Sequence, residues 1–192
     1  MKGISGARRS GSVLLSALLL TIAPLVHLPI QARQQGPSEY ELKAAFLFNF
    51  AQFVEWPPAA FATPDAPLII GVLGSDPFGG RLEEVVRGEV VLGHPLEVRR
   101  YDRIEDVENC HILFLGRSEG SNLEGILSRL RFRPILTVGE ADQFARAGGM
   151  IGFVMDRNRI RLRINRGAAE AANLVLSSRL LRPAEIIGTG GR

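Results

Sequence analysis

Cysteine is almost absent from this 192-residue chain. Cys110 stands alone, so no intrachain disulfide can form, even in an oxidising compartment. Its apolar neighbours Ile112 to Leu115 predict a buried, inert thiol, with an intermolecular bridge as the minor alternative. Tryptophan is just as scarce (Trp56 only), and the histidines are three, His27, His94 and His111. So few Cys and His, at no close spacing, make a poor metal site, and no metal or cofactor is expected. The nucleotide-binding glycine patterns are missing too. Gly71-Val72-Leu73-Gly74 lacks the GxGxxG spacing, and no GxxxxGK[ST] occurs. There is no low-complexity tract and no block of like charge.

A run long enough to span a bilayer is also lacking. Val13–Val26 is apolar but falls short of about 20 residues and contains Pro24. With Lys2, Arg8 and Arg9 before it and Ile30-Gln31-Ala32 after it, the segment has the anatomy of a secretory signal peptide cleaved near Ala32. Residues 1–32 are therefore expected to be removed, and the protein to work outside the cytoplasm. The signal carries three of the 23 Lys and Arg and none of the 20 Asp and Glu. The formal charge of +3 then falls to near zero, and no electrostatic case for nucleic acid remains. The basic run Arg157-Asn158-Arg159-Ile160-Arg161-Leu162-Arg163 alternates as the solvated face of a strand does.

Catalytic constellations fail one by one. Gly116-Arg117-Ser118-Glu119-Gly120 matches GxSxG between an expected strand and helix, but that chemistry needs an acid and then a histidine downstream. Both mature histidines, His94 and His111, precede Ser118, and a serine without a base is a weak nucleophile. Cys110 and His111 are sequence neighbours whose side chains point to opposite faces of a strand. The acid pairs Glu83-Glu84 and Glu105-Asp106 fall on expected surface. No catalytic residue is assigned, and the chain is not expected to be an enzyme.

The periodicities alternate between strand and helix. Glu39–Trp56 is an aromatic-rich helix with Phe46, Leu47, Phe50, Phe53 and Val54 on one broad face and Tyr40 at its margin. Phe48 lands among Glu41, Gln52 and Glu55 on the other side, either covered by another part of the fold or kept for a partner. Strands are expected at Pro67–Leu73, Pro95–Tyr101, His111–Leu115 and Pro134–Val138. A hairpin of Met150–Met155 and Arg159–Ile164 follows, turning at Asp156-Arg157-Asn158. Helices are expected at Phe78–Arg87 (capped by Asp76, with Pro77 first), Ser121–Leu130, Ala141–Ala147 and Gly167–Leu181. The pattern is that of one layered α/β domain, residues 33–187. Its sheet should be mainly parallel but mixed, with about six strands, helices on both faces and a disordered tail over 188–192.

In such sheets polar ligands sit at the carboxyl ends of strands. Two strands here end alike, in a glycine and then polar residues. Gly74, Ser75, Asp76 and Ser118 are thus a candidate ligand rim, or simply tight strand-to-helix turns. At the ends of the last strand and last helix, Asn165 and Arg179 are open to structural capping or pairing and to a regulatory contact.

The run from Glu39 to Pro57 resembles the opening helix of the YfiR family of bacterial periplasmic proteins. The likeness continues in order through Gly71-Val72-Leu73-Gly74, Asp76-Pro77-Phe78, Cys110-His111-Ile112-Leu113-Phe114, Leu136-Thr137-Val138 and Gly148-Gly149-Met150-Ile151. It ends with Ile160–Asn165 and Leu176–Leu181. The resemblance implies a regulator that restrains an inner-membrane diguanylate cyclase through its periplasmic sensor region. Cyclic di-GMP and biofilm formation would then be under its control. It also implies a homodimer and sequestration by an OmpA-type outer-membrane lipoprotein. A lone Cys110 departs from the internal disulfides of the best-known member. On this reading Phe48 and Trp56 are the partner anchors. The alternative is a periplasmic small-molecule sensor serving a histidine kinase or an outer-membrane receptor.

Overall fold

A computed structural model describes residues 37–188. The expected signal peptide, its cleavage point near Ala32 and the tail beyond Gly188 lie outside the described residues. Among the described residues no helix is long and apolar enough to cross a membrane.

The first helix, α1 (Glu39–Phe53), starts at a capping box: Glu41 N–H donates to Ser38 Oγ at 3.3 Å, and Ser38 N–H donates to the Glu41 carboxylate at 2.6 Å. Lys43, Ala44, Leu47, Phe50 and Ala51 recur at helical spacing and are buried. The aromatics Tyr40, Phe46, Phe48 and Phe53 are half-buried around that stripe and pack against the same core. Phe46 and Phe50 lie 5.8 and 6.1 Å from the Phe153 ring. The helix ends three residues earlier than expected. Val54–Glu55 (β1) turns extended and pairs antiparallel with Val175–Leu176 (β9), ahead of Pro57 and Pro58.

The main sheet contains Leu68–Leu73 (β2), Val90–Val91 (β3), His94–Tyr101 (β4), Ile112–Leu115 (β5), Leu136–Gly139 (β6), Ile151–Asp156 (β7), Arg159–Asn165 (β8) and Glu185–Ile187 (β10). Their order is β10-β8-β7-β6-β5-β2-β4-β3. From β4 to β7 all pairings are parallel, while β8 runs antiparallel to β7, and β3 to β4. Alternation along each strand builds two cores. Leu68, Ile70 and Val72 of β2 join Ile112 and Phe114 of β5 on one face. There α1 is accompanied by Leu82 and Val86 of α2 (Arg81–Val86), Ala169 of α4 (Arg166–Ala171) and Leu180 of α5 (Ser178–Leu181). Ile69, Leu73, Leu113 and Leu115 face the other way, onto Ile126, Leu127 and Leu130 of α3 (Leu123–Leu130). Helices thus cover both faces of a mostly parallel sheet, as expected.

The sheet has eight strands rather than about six. The additions, β3 and β10, are edge strands of two and three residues, too short to carry a period. The helix expected over Phe78–Arg87 begins only at Arg81. Phe78 is fully buried against Phe114, ring centroids 4.8 Å apart, and Gly79 adopts φ +58°. Ala141–Ala147 is a chain of turns whose Phe144 ring fills the space over Gly139 and Gly149. The long closing helix is broken into α4, β9 and α5, because Asn173 takes the left-handed conformation at φ +57°.

Candidate functional site

The chain leaves β2 toward β4 on one side and β5 on the other, so the carboxyl ends of β2 and β5 form the switch point where open α/β sheets bind ligands. The expected rim residues do meet there. Ser75 N–H donates to Ser118 Oγ at 3.0 Å, and the Ser118 hydroxyl donates to the Glu119 carboxylate at 2.9 Å. A Cβ on Gly74 would collide with Ser118 Oγ and the Glu119 carboxylate. One Asp76 oxygen accepts from Phe78 N–H at 2.7 Å, and the other accepts from Arg100 Nε at 2.8 Å. Arg100 also pairs with Glu83, and that hydrogen bond holds the Glu83 carboxyl below its usual range. Of the four rim residues Ser75 and Ser118 therefore bond to each other, while Gly74 and Asp76 bond to neighbouring segments, closing the turns tightly. Ser118 has its hydroxyl committed, and both described histidines lie at the other end of the strands.

Beside the rim sits an arrangement the sequence reading did not single out. The Lys43 side chain is 1 % exposed and pairs with Glu140, 3 % exposed, directly after β6. Glu39 also accepts from Lys43, Arg117 Nε lies 3.1 Å from Glu140, and the Tyr40 hydroxyl donates to it at 3.2 Å. Burial raises the Tyr40 pKa first, and the Glu140 charge adds to that. The first turn of α1 is thereby tied to the carboxyl ends of β5 and β6. A lysine inside an apolar helical stripe was the available sequence signal.

At the amino ends of the strands a strap runs from Trp56 through the 3-10 turn Pro58–Ala60 to Pro67. Phe61 is sandwiched between two imidazoles, with centroids 3.8 Å from His94 and 4.3 Å from His111. His111 Nδ1 accepts from Ile69 N–H at 3.1 Å, which places the proton of the neutral ring on Nε2. Among the described residues buried Nε2 has no hydrogen-bond partner, although the Ala60 carbonyl is near enough to favour the proton. Burial nevertheless dominates and lowers the His111 pKa to about 4, with His94 adding a smaller push the same way. Trp56 Nε1–H donates to the His111 carbonyl at 3.2 Å. Beyond the stack lies an open groove of about 570 Å³ bordered by Trp56, Phe61, Leu92 and His94.

The remaining candidates fall elsewhere. Asn165 caps α4, its Oδ1 accepting from Ala168 N–H at 3.0 Å, and its amide donates to the Ala145 carbonyl at 3.0 Å. It also lines a cavity of about 510 Å³ beside α3 and α4. Arg179 is exposed on α5, which packs against α1, the helix that carries Phe48. Phe48 and Trp56 are both half-buried against the first core. Cys110 is buried, donates to the Ile112 carbonyl at 3.1 Å, and has its thiol pKa pushed up to about 12 by burial.

Set beside known proteins, the chain matches the YfiR/HmsC-like family model over residues 40–185, well over half its length, and it belongs to that family. No curated protein gives a significant match.

Proposed function

We propose that this YfiR/HmsC-like chain is a periplasmic, non-enzymatic brake on an inner-membrane signalling protein. The target in this reading is a diguanylate cyclase, contacted through its periplasmic sensor region, so that release of the brake raises cyclic di-GMP and favours biofilm formation. The acting form is a homodimer, and an OmpA-type outer-membrane lipoprotein sequesters it. The observation that carries the reading is the family match, which runs from the second residue of α1 to the first residue of β10 and so takes in nearly the whole folded domain. Three side chains that the sequence offers for chemistry or ligand binding are also committed to structure: Ser118 to Ser75 and Glu119, Asp76 to Phe78 and Arg100, Cys110 to the second core. We assign the partner contact to the neighbouring helices α1 and α5, through Phe48 and Arg179; Trp56 and Asn165, the other two candidates, lie away from that pair of helices, on the amino-end strap and beside α3.

The test is capture of partners from detergent-solubilised source membranes on the mature protein, residues 33–192. Recovery of a membrane cyclase with a periplasmic sensor region is expected, and Phe48→Asp and Arg179→Glu should lose it while keeping native circular dichroism. Loss of folding in Phe48→Asp would assign that ring to the core instead, leaving Arg179→Glu to decide. A folded preparation that retains no membrane partner would overturn the brake.

A further inference from the structure

The groove at the amino ends of the strands has a wall chemistry of its own. Its apolar side is Trp56, Phe61 and Leu92 with two prolines and an alanine, and its volume of about 570 Å³ suits a small ligand, for which roughly 300–1,000 Å³ is usual. Leu92 is displayed there at a cost. It holds the first position of the two-residue Leu92-Gly93 turn between β3 and β4, at φ +53° and 70 % exposed. Asparagine or glycine would relieve that backbone, whereas a leucine strains it and offers an isobutyl group to solvent.

The polar side chains of the groove almost all accept. The Trp56 N–H is already taken by the His111 carbonyl. His94 Nδ1 lies 2.7 Å from the Ala66 carbonyl, so in the neutral ring that nitrogen carries the proton and Nε2 is left an acceptor. Glu55 is a carboxylate, Thr63 is a hydroxyl able to accept, and among the described residues no Lys or Arg borders the groove. An occupant must therefore bring donors, one positive charge and an apolar, flat body able to lie against an indole and the edge of the Phe61 ring, whose two faces are stacked on imidazoles. We infer that this groove binds small aromatic amines. The ammonium group sits at the Glu55 side, and the ring lies against Trp56, Phe61 and Leu92. This site is separate from the rim at the carboxyl ends, and it stands or falls independently of the brake reading.

Because Trp56 is the single tryptophan, its emission reports the groove directly. Three probes of one shape separate the terms: 2-phenylethylamine, neutral 2-phenylethanol and anionic phenylacetate, with excitation at the red edge where none of them absorbs. The amine should change the emission saturably. The alcohol should bind several-fold more weakly and phenylacetate at least about tenfold more weakly, since it opposes Glu55 with a like charge and brings no donor. Glu55→Gln should reduce the amine to the level of the alcohol. Leu92→Asn should raise the unfolding midpoint by relieving the turn, yet weaken the amine, so that a lost signal cannot be blamed on misfolding. Equal binding of the three probes, tightest binding of phenylacetate, an unsaturable response or unchanged affinity in Leu92→Asn would each overturn the assignment.

Discussion

At the scale of single residues, the most consequential side chain is Lys43. A fully buried ammonium is tolerated only when paired, and here Glu140 and Glu39 pair with it while Tyr40 lies 4.6 Å below it. Lys43→Met would leave the buried Glu140 carboxylate with surface-exposed Arg117 as its remaining charge partner. A loss of about 3 kcal/mol is expected in urea unfolding, because an uncompensated buried charge costs more than the pair contributes. The double variant Lys43→Met/Glu140→Gln should recover most of it. His111 predicts a pH dependence. Its folded pKa near 4 lies below the ordinary value near 6.5, so between those pH values the unfolded chain takes up a proton that the folded chain refuses. Stability from this group is complete above about pH 6.5 and falls as pH drops toward 4, by up to about 3 kcal/mol. His111→Asn keeps an acceptor for Ile69 N–H and has no proton to gain. Urea midpoints measured from pH 7 to 4.5 should therefore fall more steeply in the parent protein than in the variant.

Among the elements, α1 is fixed at its start by the capping box, and Ser38→Ala should cost about 1 kcal/mol in thermal or urea unfolding without changing the native spectrum. The elements also show what the sequence could and could not reveal. The six long strands were legible because Leu68–Leu73, Ile112–Leu115 and their neighbours are apolar runs bounded by turns, and β8 alternates. Strands β1, β3, β9 and β10 were not, since two or three residues hold no period and depend on a distant partner for their pairing. Gly167–Leu181 looked like one helix because its alanines favour that state, but a single left-handed Asn173 and the pairing of Val175 with Glu55 override propensity. For the same reason the place of the rim was legible and its closure was not. Glycine after a strand marks a turn, whereas the bond from Ser75 to Ser118 spans 43 residues and leaves no local trace. The aromatic groove was hidden altogether: its walls come from an irregular strap and a strained turn.

For the whole molecule, the central fact is that one sheet serves two cores. Strand β2 sends Leu68, Ile70 and Val72 to one and Ile69 and Leu73 to the other, so neither face can loosen without disturbing the strand that supports its opposite. The chain carries one natural reporter on each side. Trp56 packs against the first core, and Cys110 is buried in the second with a thiol held protonated by burial. Thiol reagents should therefore leave the native protein unmodified. In urea, the change in Trp56 emission and the appearance of thiol reactivity should share one midpoint, which reductant does not shift because no internal disulfide exists. Gly71 sharpens the test. A Cβ there would come within 2.7 Å of the Tyr101 ring and 2.8 Å of Cys110 Sγ, both on the second face. Gly71→Ala should thus strain the Cys110 side alone, yet lower both midpoints together, as overpacking removes about 1–3 kcal/mol of stability. If thiol reactivity moved to lower urea while Trp56 stayed in place, the two faces would be independent folding units and the shared-sheet account would fail.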